Sequence, residues 1–588
     1  LFTVQKVFNG IGAYLELDHI QELQTDFDVK AIHPLSRVSI NLSNSLPFIG
    51  APSVWSNYKA TGKGIRVGII DTGIDYIHKD FGGSGTNQDY ENNDPTIIGD
   101  VPFPTTKIVG GYDFVGEDYD PEVFGKNIPI PDPDPFDQHG HGTHVAGIIG
   151  GYGVLNSGAT YTFDYTQQII NYPFLVYPGV APKTELYALK IFSKAPKSEI
   201  LIPAIEWAID PNQDGDFSDH LDILNLSLGE DFGFSDTPEA IACNNASTVG
   251  ILVIVSAGNR GDAFFSLGTP ASAESVIAVA ACEDADSSLS GNIPSRIAYF
   301  SSRGPAMYST GKIVLKPDIS APGVHIYSAN LGSNPINRLS SGTSMSAPHI
   351  SGLSALLMEI YPELTPQNIK VILMNNATFD TYLYKKGEII DAPPQIGGIG
   401  RNNFSNNIIT DFLFYDKDNP YTVSLTFNTQ EVSESTTEER WIRIENLSNQ
   451  SKSFELSYLS RTTISGVEIV LPQNISPAIN PGSYADLPVI LHIDMSLLKH
   501  DRDPSLDFRY NEPNRSWLSE LSGILSLRDT TNNNTLHLPL YAQIQPVSDL
   551  ELYPSYLDLS TSNTEPISVQ GRELYTCLLY TSPSPRDS

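Results

Sequence analysis

Cysteine is almost missing from this chain. Its 588 residues include three, Cys243, Cys282 and Cys577, too few for a disulfide framework or a cysteine metal cluster. Nothing in the sequence supports a Cys243–Cys282 bridge, so stability has to come from a core, with or without bound ions. Positive charge is also scarce: 35 Lys and Arg stand against 68 Asp and Glu, a formal charge of −33. That balance argues against nucleic acid or an anionic membrane as partner and suits a secreted protein in salty or calcium-containing water. No apolar run reaches the length of a membrane span, and the chain opens at Leu1 without a signal peptide. What the chain does have is length, enough for more than one domain and a large core.

Three short segments carry the chemistry. Val67-Gly68-Ile69-Ile70 reads as a buried parallel strand and runs into Asp71-Thr72-Gly73, which delivers a carboxylate to a crevice at the strand's carboxyl end. In His141-Gly142-Thr143-His144-Val145-Ala146-Gly147, two histidines lie one helical turn apart among small residues that let a helix pack close to a sheet. Ser341-Gly342-Thr343-Ser344-Met345-Ser346-Ala347-Pro348 leads into the apolar run Ile350 to Met358, expected as a buried helix with Ser344 at its amino end and Pro348 in its first turn. Free N–H groups and the helix dipole favour an anion there. A fourth segment, Val253-Ile254-Val255-Ser256-Ala257-Gly258-Asn259, is a buried strand that ends in a tight turn bearing an amide.

Each segment also has an ordinary explanation. Asp71 and Asn259 alone are common turn residues. Histidines at i and i+3 can share a metal, but His139, His141 and His144 belong to no His-Glu-x-x-His helix and have no cysteine nearby. The G-x-S-x-G signature of α/β-hydrolases fails, because Ser346 occupies its last position.

Taken together, in the order Asp, His, Ser, the segments resemble those of the subtilisin-like serine proteases, the subtilases, from about Trp55 to Arg401. Gly179-Val180-Ala181-Pro182, Phe300-Ser301-Ser302-Arg303-Gly304-Pro305 and Lys316-Pro317-Asp318-Ile319-Ser320-Ala321-Pro322-Gly323 match as well. The resemblance implies an endopeptidase in which Ser344 is the nucleophile, His141 the general base, Asp71 its orienting carboxylate and His144 structural. Asn259 and the Ser344 amide would hold the oxyanion. It further implies that Ser227-Leu228-Gly229 takes the substrate backbone as an added strand, and that Ala257-Gly258 forms the facing wall of a pocket open to large apolar side chains. Arg260 departs from that pattern. It either pairs with an acidic substrate side chain or is a solvated loop residue near Asp262.

Asp210-Pro211-Asn212-Gln213-Asp214-Gly215-Asp216 places oxygen ligands at alternating positions with glycine sixth, the opening of an EF-hand-like calcium loop. The twelfth position is Leu221, so closure needs Asp219 or Asp222; a solvated turn is the alternative. Structural calcium is expected by analogy with other subtilases.

Strands over Ile65–Ile70, Glu185–Ile191, Ile223–Ser227, Ile251–Ser256 and Val276–Ala280 alternate with helices over Gly142–Gly150, Ile200–Ile209 and Pro348–Ile360. This α/β pattern predicts a doubly wound parallel sheet across residues 48–405. Residues 1–42 resemble the latter part of an inhibitory propeptide, an intramolecular partner to be cut away between about Ile40 and Leu46 from a secreted zymogen that lacks its first strand and signal. Period-two runs such as Tyr421/Val423/Leu425/Phe427 predict an all-β sandwich over 408–548, resembling a fibronectin type III-like domain. Residues 549–574 read as a linker or the start of a further segment. Residues 575–588 resemble a translated sequencing adapter and are set aside.

Overall fold

The computed structural model describes residues 45–546, except 168–171, 262, 285–294, 334–336, 386–387, 406–407, 473–477 and 499–518, together with residue 29 and four short strand backbones nearer the termini. Residues 1–41 form one compact unit, in which Phe2–Val4 pairs antiparallel with Gly10–Gly12. Most of the expected propeptide, the expected cleavage region before Ser45, and residues 575–588 lie outside the described residues; so does 549–574 apart from its two strand backbones.

The second unit is built on a seven-stranded parallel sheet. In chain order its strands are β1 (Arg66–Asp71), β2 (Ile108–Asp113), β3 (Glu185–Lys190), β4 (Ile223–Leu226), β5 (Leu252–Ser256), β6 (Ile277–Cys282) and β7 (Ile319–Pro322), arranged as β7-β6-β5-β4-β1-β3-β2. Side chains of a strand alternate between faces, and that alternation divides the core in two. Val67, Ile69, Ile223 and Ile254 join Val145, Ile148, Ile350 and Leu353 from helices α1 (His141–Gly150) and α4 (Thr343–Ile360). Ile70, Leu224, Leu226 and Val253 join Leu201, Ile205, Ala240 and Cys243 from α2 (Leu201–Ile209) and α3 (Pro238–Val249). Each Val, Ile or Leu so enclosed contributes about 1.5–3 kcal/mol. The sheet is thus covered by helices on both faces, which is the expected doubly wound arrangement.

One expectation needs correction, and four elements add to the sequence reading. Helix α4 starts at Thr343, so Pro348 lies inside it rather than in its first turn. Strands β2 and β7, and helices α3 and α5 (Pro366–Asn375), were not anticipated. Cys243 and Cys282 are free, buried thiols.

Beyond the parallel-sheet fold, two four-stranded sheets follow. Strands β8 (Phe412–Asp416), β10 (Thr436–Asn446), β13 (Tyr484–Ile493) and β12 (Val467–Val470) form one in that order. Strands β9 (Leu425–Val432), β15 (Thr535–Pro546), β14 (Ser519–Asp529) and β11 (Phe454–Thr462) form the other, antiparallel except for β9 with β15. Phe412, Ile442 and Val489 of the first share a core with Leu425, Leu525 and Leu538 of the second. This all-β part is joined to α5 by buried polar contacts: Lys370 Nζ donates to Tyr421 O at 2.7 Å, and Asn375 Nδ2 donates to Phe414 O and His537 O, each at 2.9 Å. Among the described residues, no helix is long and apolar enough to cross a membrane.

Candidate active site

Parallel register brings the site together. Ile70 on β1 pairs with Leu226 on β4, so the next residues, Asp71 and Ser227, emerge side by side at the carboxyl edge. His141 is fastened to the first and Ser344 to the second.

Asp71 Oδ1 and Oδ2 lie 2.7 and 2.9 Å from His141 Nδ1, and Thr72 N donates to Oδ1 at 2.8 Å. Asp71 is buried, whereas the His141 side chain is 29% exposed. Burial by itself would lower the imidazole pKa. The charge and hydrogen bond of Asp71, aided by the charge of Asp137, outweigh it and hold the pKa above 6.5. An imidazole held in this way at Nδ1 presents Nε2 for proton transfer. Glycine is required where the helix meets the strand end, since a Cβ on Gly142 would sit 2.2 Å from Gly73 O.

Asp137 was not singled out from the sequence. Its carboxylate accepts from His139 N, Gly140 N and Thr143 N at 2.8, 2.9 and 3.0 Å and from the Thr143 hydroxyl at 2.6 Å, capping α1 at the turn that carries His141. An acidic residue just ahead of the His-Gly-Thr-His helix start was the available signal. His144 is buried with Nε2 against Ile326 O and Arg338 O at 3.2 and 2.9 Å, and burial pushes its pKa down to about 4. The His139 ring stands edge-on to that of His141 at 6.4 Å. Among the described residues, no three His, Cys, Asp or Glu side chains are placed to hold a metal.

Ser344 is the second residue of α4, and its hydroxyl donates to Ser227 O at 3.1 Å. Pro348, four residues on, has no N–H to offer the Ser344 carbonyl. The Ser227 hydroxyl donates to that carbonyl instead, at 2.9 Å. Ser227 therefore grips the nucleophile candidate at its hydroxyl and its carbonyl. With its hydroxyl turned to Ser227, Ser344 makes no hydrogen bond to His141 in this state; such bonds are often long or misaligned before substrate arrives.

Asn259 follows β5 by three residues. Its Oδ1 accepts from Thr343 N at 2.9 Å and from the Thr343 hydroxyl at 3.2 Å, which leaves Nδ2 as the donor end. A Cβ placed on Gly342 would lie 3.7 Å from Asn259 Nδ2 and 3.8 Å from Ser344 N, so both donors border one small space.

Of the expected pocket residues, Ser227 and Ala257 are buried, Leu228 and Gly258 partly buried and Gly229 exposed. Ser256 Oγ donates to Leu228 O at 3.3 Å, tying one wall to the other. Arg260 forms an ion pair with Asp231, two residues beyond Gly229, and Asp262 lies outside the described residues. The pair fastens the ends of both walls together, and Asp231 had not been identified from the sequence.

The acidic loop folds on itself. Asp210 accepts from Asp214 N and Gly215 N, Asn212 from Asp214 N, Asp214 from Asp216 N, Asp216 from Ser218 N, and Asp219 from Asn212 N. Asp222 is turned away to Arg66, 3.3 Å from Nη2. These side chains cap their own turn's N–H groups, and among the described residues no three of the loop's carboxylates are grouped to hold an ion.

Comparison with known proteins places the chain in a family. The family model described as the subtilase family matches residues 62–407. Serine protease AprX of Bacillus subtilis is 31% identical over 366 residues, covering 59% of this chain and 67% of the relative. Subtilisin DY of Bacillus licheniformis is 31% identical over 352 residues, covering 58% of this chain and 95% of the relative. Minor extracellular protease Vpr of Bacillus subtilis is 26% identical over 602 residues, covering 77% and 66%. The chain belongs to the subtilase family and is a subtilisin-like serine endopeptidase.

Proposed function

We propose that Ser344, His141 and Asp71 form the catalytic triad and that Asn259 Nδ2 and the Ser344 N–H form the oxyanion hole. The observation that carries this reading is the His141–Asp71 contact of 2.7 Å at the end of β1, beside a strand whose next residue holds Ser344. A substrate strand laid along Ser227-Leu228-Gly229 presents its carbonyl to Ser344, whose hydroxyl leaves Ser227 O for His141 Nε2. The Oγ–C bond forms as His141 takes the proton, and the carbonyl oxygen gains its charge between the two donors. His141 returns the proton to the departing amine, the C–N bond breaks, and water reverses the sequence on the acyl-enzyme.

The slot between Leu228 and Ala257-Gly258 supports apolar preference beside the scissile bond. Arg260, already paired with Asp231, is then a wall brace rather than an acidic-residue binder. Secretion is supported by charge and by the extracellular relative; residues 1–42 act as inhibitory propeptide, and the β-sandwich over 408–548 is fibronectin type III-like. Calcium at the Asp210–Asp219 loop is retained only as a reading to be tested: a melting temperature unmoved by chelator ends it. For the endopeptidase reading, wild type should cleave a Phe-containing chromogenic peptide and Ser344→Ala should not. Equal rates in both would refute the triad.

A further inference from the structure

Arg303 and Glu520 lie 217 residues apart, one in the peptidase fold and one on strand β14 of the sandwich, and neither side chain has any exposure. Arg303 Nη2 donates to both carboxylate oxygens, at 3.1 and 2.9 Å. The Tyr541 hydroxyl donates to Glu520 Oε1 at 2.6 Å, Gln543 Nε2 donates to the Tyr541 hydroxyl at 3.0 Å, and the guanidinium lies 4.3 Å from the centre of the Phe264 ring. Burying such a pair is a weak source of stability, because desolvation offsets the attraction. What it supplies here is placement.

The placed segment leads to the oxyanion turn. Arg303 N donates to Ser266 Oγ at 3.1 Å, and Leu267 N donates to Arg303 O at 3.1 Å. One residue earlier, Ser302 N donates to Gly258 O at 2.9 Å, and Ser302 Oγ accepts from Arg260 N at 3.0 Å. Gly258 and Arg260 flank Asn259 on either side. Contacts therefore run from the sandwich carboxylate through Arg303 and Ser302 to both neighbours of the amide donor, and a donor aimed at a transition state tolerates displacement of only about 0.5 Å.

We infer that Glu520 is a positioning residue for catalysis: the β-sandwich, through Glu520 and Arg303, sets the aim of Asn259. The inference rests on the reading of Asn259 as oxyanion donor.

A double-mutant cycle in the full chain tests it, with kcat, KM and melting temperature measured for Glu520→Gln, Asn259→Ala and the pair. Glu520→Gln should lower kcat roughly tenfold, with KM changed by less than about twofold; on the Asn259→Ala background it should lower kcat by less than about twofold. The same loss on both backgrounds, or an unchanged kcat in the single variant, overturns the inference. If Glu520→Gln does not fold, Arg303→Met with Glu520→Met replaces the pair by apolar volume. Recovered folding with kcat still lowered supports a positioning role, and recovered folding with full kcat overturns it. Should Asn259→Ala alone leave kcat intact, the oxyanion reading itself fails; if that variant is impaired but the effects multiply, only the role of Glu520 is lost.

Discussion

At the scale of single residues, the site depends on who satisfies whom. Ser227 is the clearest case, because the proline that follows Ser344 removes the helical donor its carbonyl would have had, and a neighbouring strand end replaces it. Ser227→Ala should therefore cost about 1–3 kcal/mol of stability, the penalty for a buried unsatisfied group, read as a shift in urea midpoint on the Ser344→Ala background, where self-digestion is absent. Asn259→Ala should lower kcat by about 10²–10³ with little change in KM, the cost characteristic of this donor in a subtilisin. For His141 the sign follows from its raised pKa: the proposed base works only when neutral, so kcat/KM should fall as pH drops, with the acid limb centred above 6.5. Asp71→Asn removes the group that raises that pKa, so the limb should move to lower pH while kcat falls by about 10⁴. A limb left in place in Asp71→Asn would show that another group controls it.

At the scale of elements, α4 joins the proposed nucleophile to the start of the peptidase unit. His349 Nδ1 donates to Met345 O at 2.8 Å and its Nε2 accepts from Ser45 Oγ at 3.0 Å, all within the buried interior. Burial lowers its pKa from 6.5 to about 4. The folded state thus binds fewer protons than the unfolded one between these values, so the stability from neutral His349 is present above pH 6.5 and is lost as pH falls towards 4. His349→Gln should flatten that dependence by up to about 1.4 kcal/mol per pH unit, measured by denaturant unfolding at a series of pH values; an unchanged slope would contradict it. Strand ends such as Asp71 and Ser256 were legible in the sequence, because short apolar runs ended by Thr-Gly or Ala-Gly leave few alternatives. Helix α3 was not, since its buried face, Ala240, Cys243 and Ala246, is too small and mildly apolar to give a strong period. The start of α4 was misread because Pro348 looks like a helix beginning, and only tertiary contact supplies the missing partner. Asp231 and Glu520 were invisible for a related reason, since each acts on a residue brought near by folding, whereas Asp137 was marked by its place just ahead of the helix start and was passed over.

At the scale of the whole molecule, the sandwich and the peptidase fold share buried polar partners, which makes the sandwich part of the structural unit. Ending the chain at residue 405 would strip Arg303 of its Glu520 carboxylate and Asn375 of its Phe414 and His537 partners, and would take one of the three carbonyls to which Lys370 Nζ donates. Each orphaned neutral group costs about 1–3 kcal/mol and an unpaired buried charge about 3–5, against a whole-protein stability of about 5–15 kcal/mol. Chains ending at 405 should be insoluble or melt far below chains ending at 546, and comparable melting temperatures would contradict this. The central claim, that Ser344 is activated through His141 and Asp71, is tested most directly by titrating purified protein with a serine-directed fluorophosphonate and locating the label by mass spectrometry. The account predicts one label per molecule, on Ser344, abolished in Ser344→Ala and strongly slowed in His141→Ala. Label on another residue, or a rate on Ser344 indifferent to His141, would contradict it.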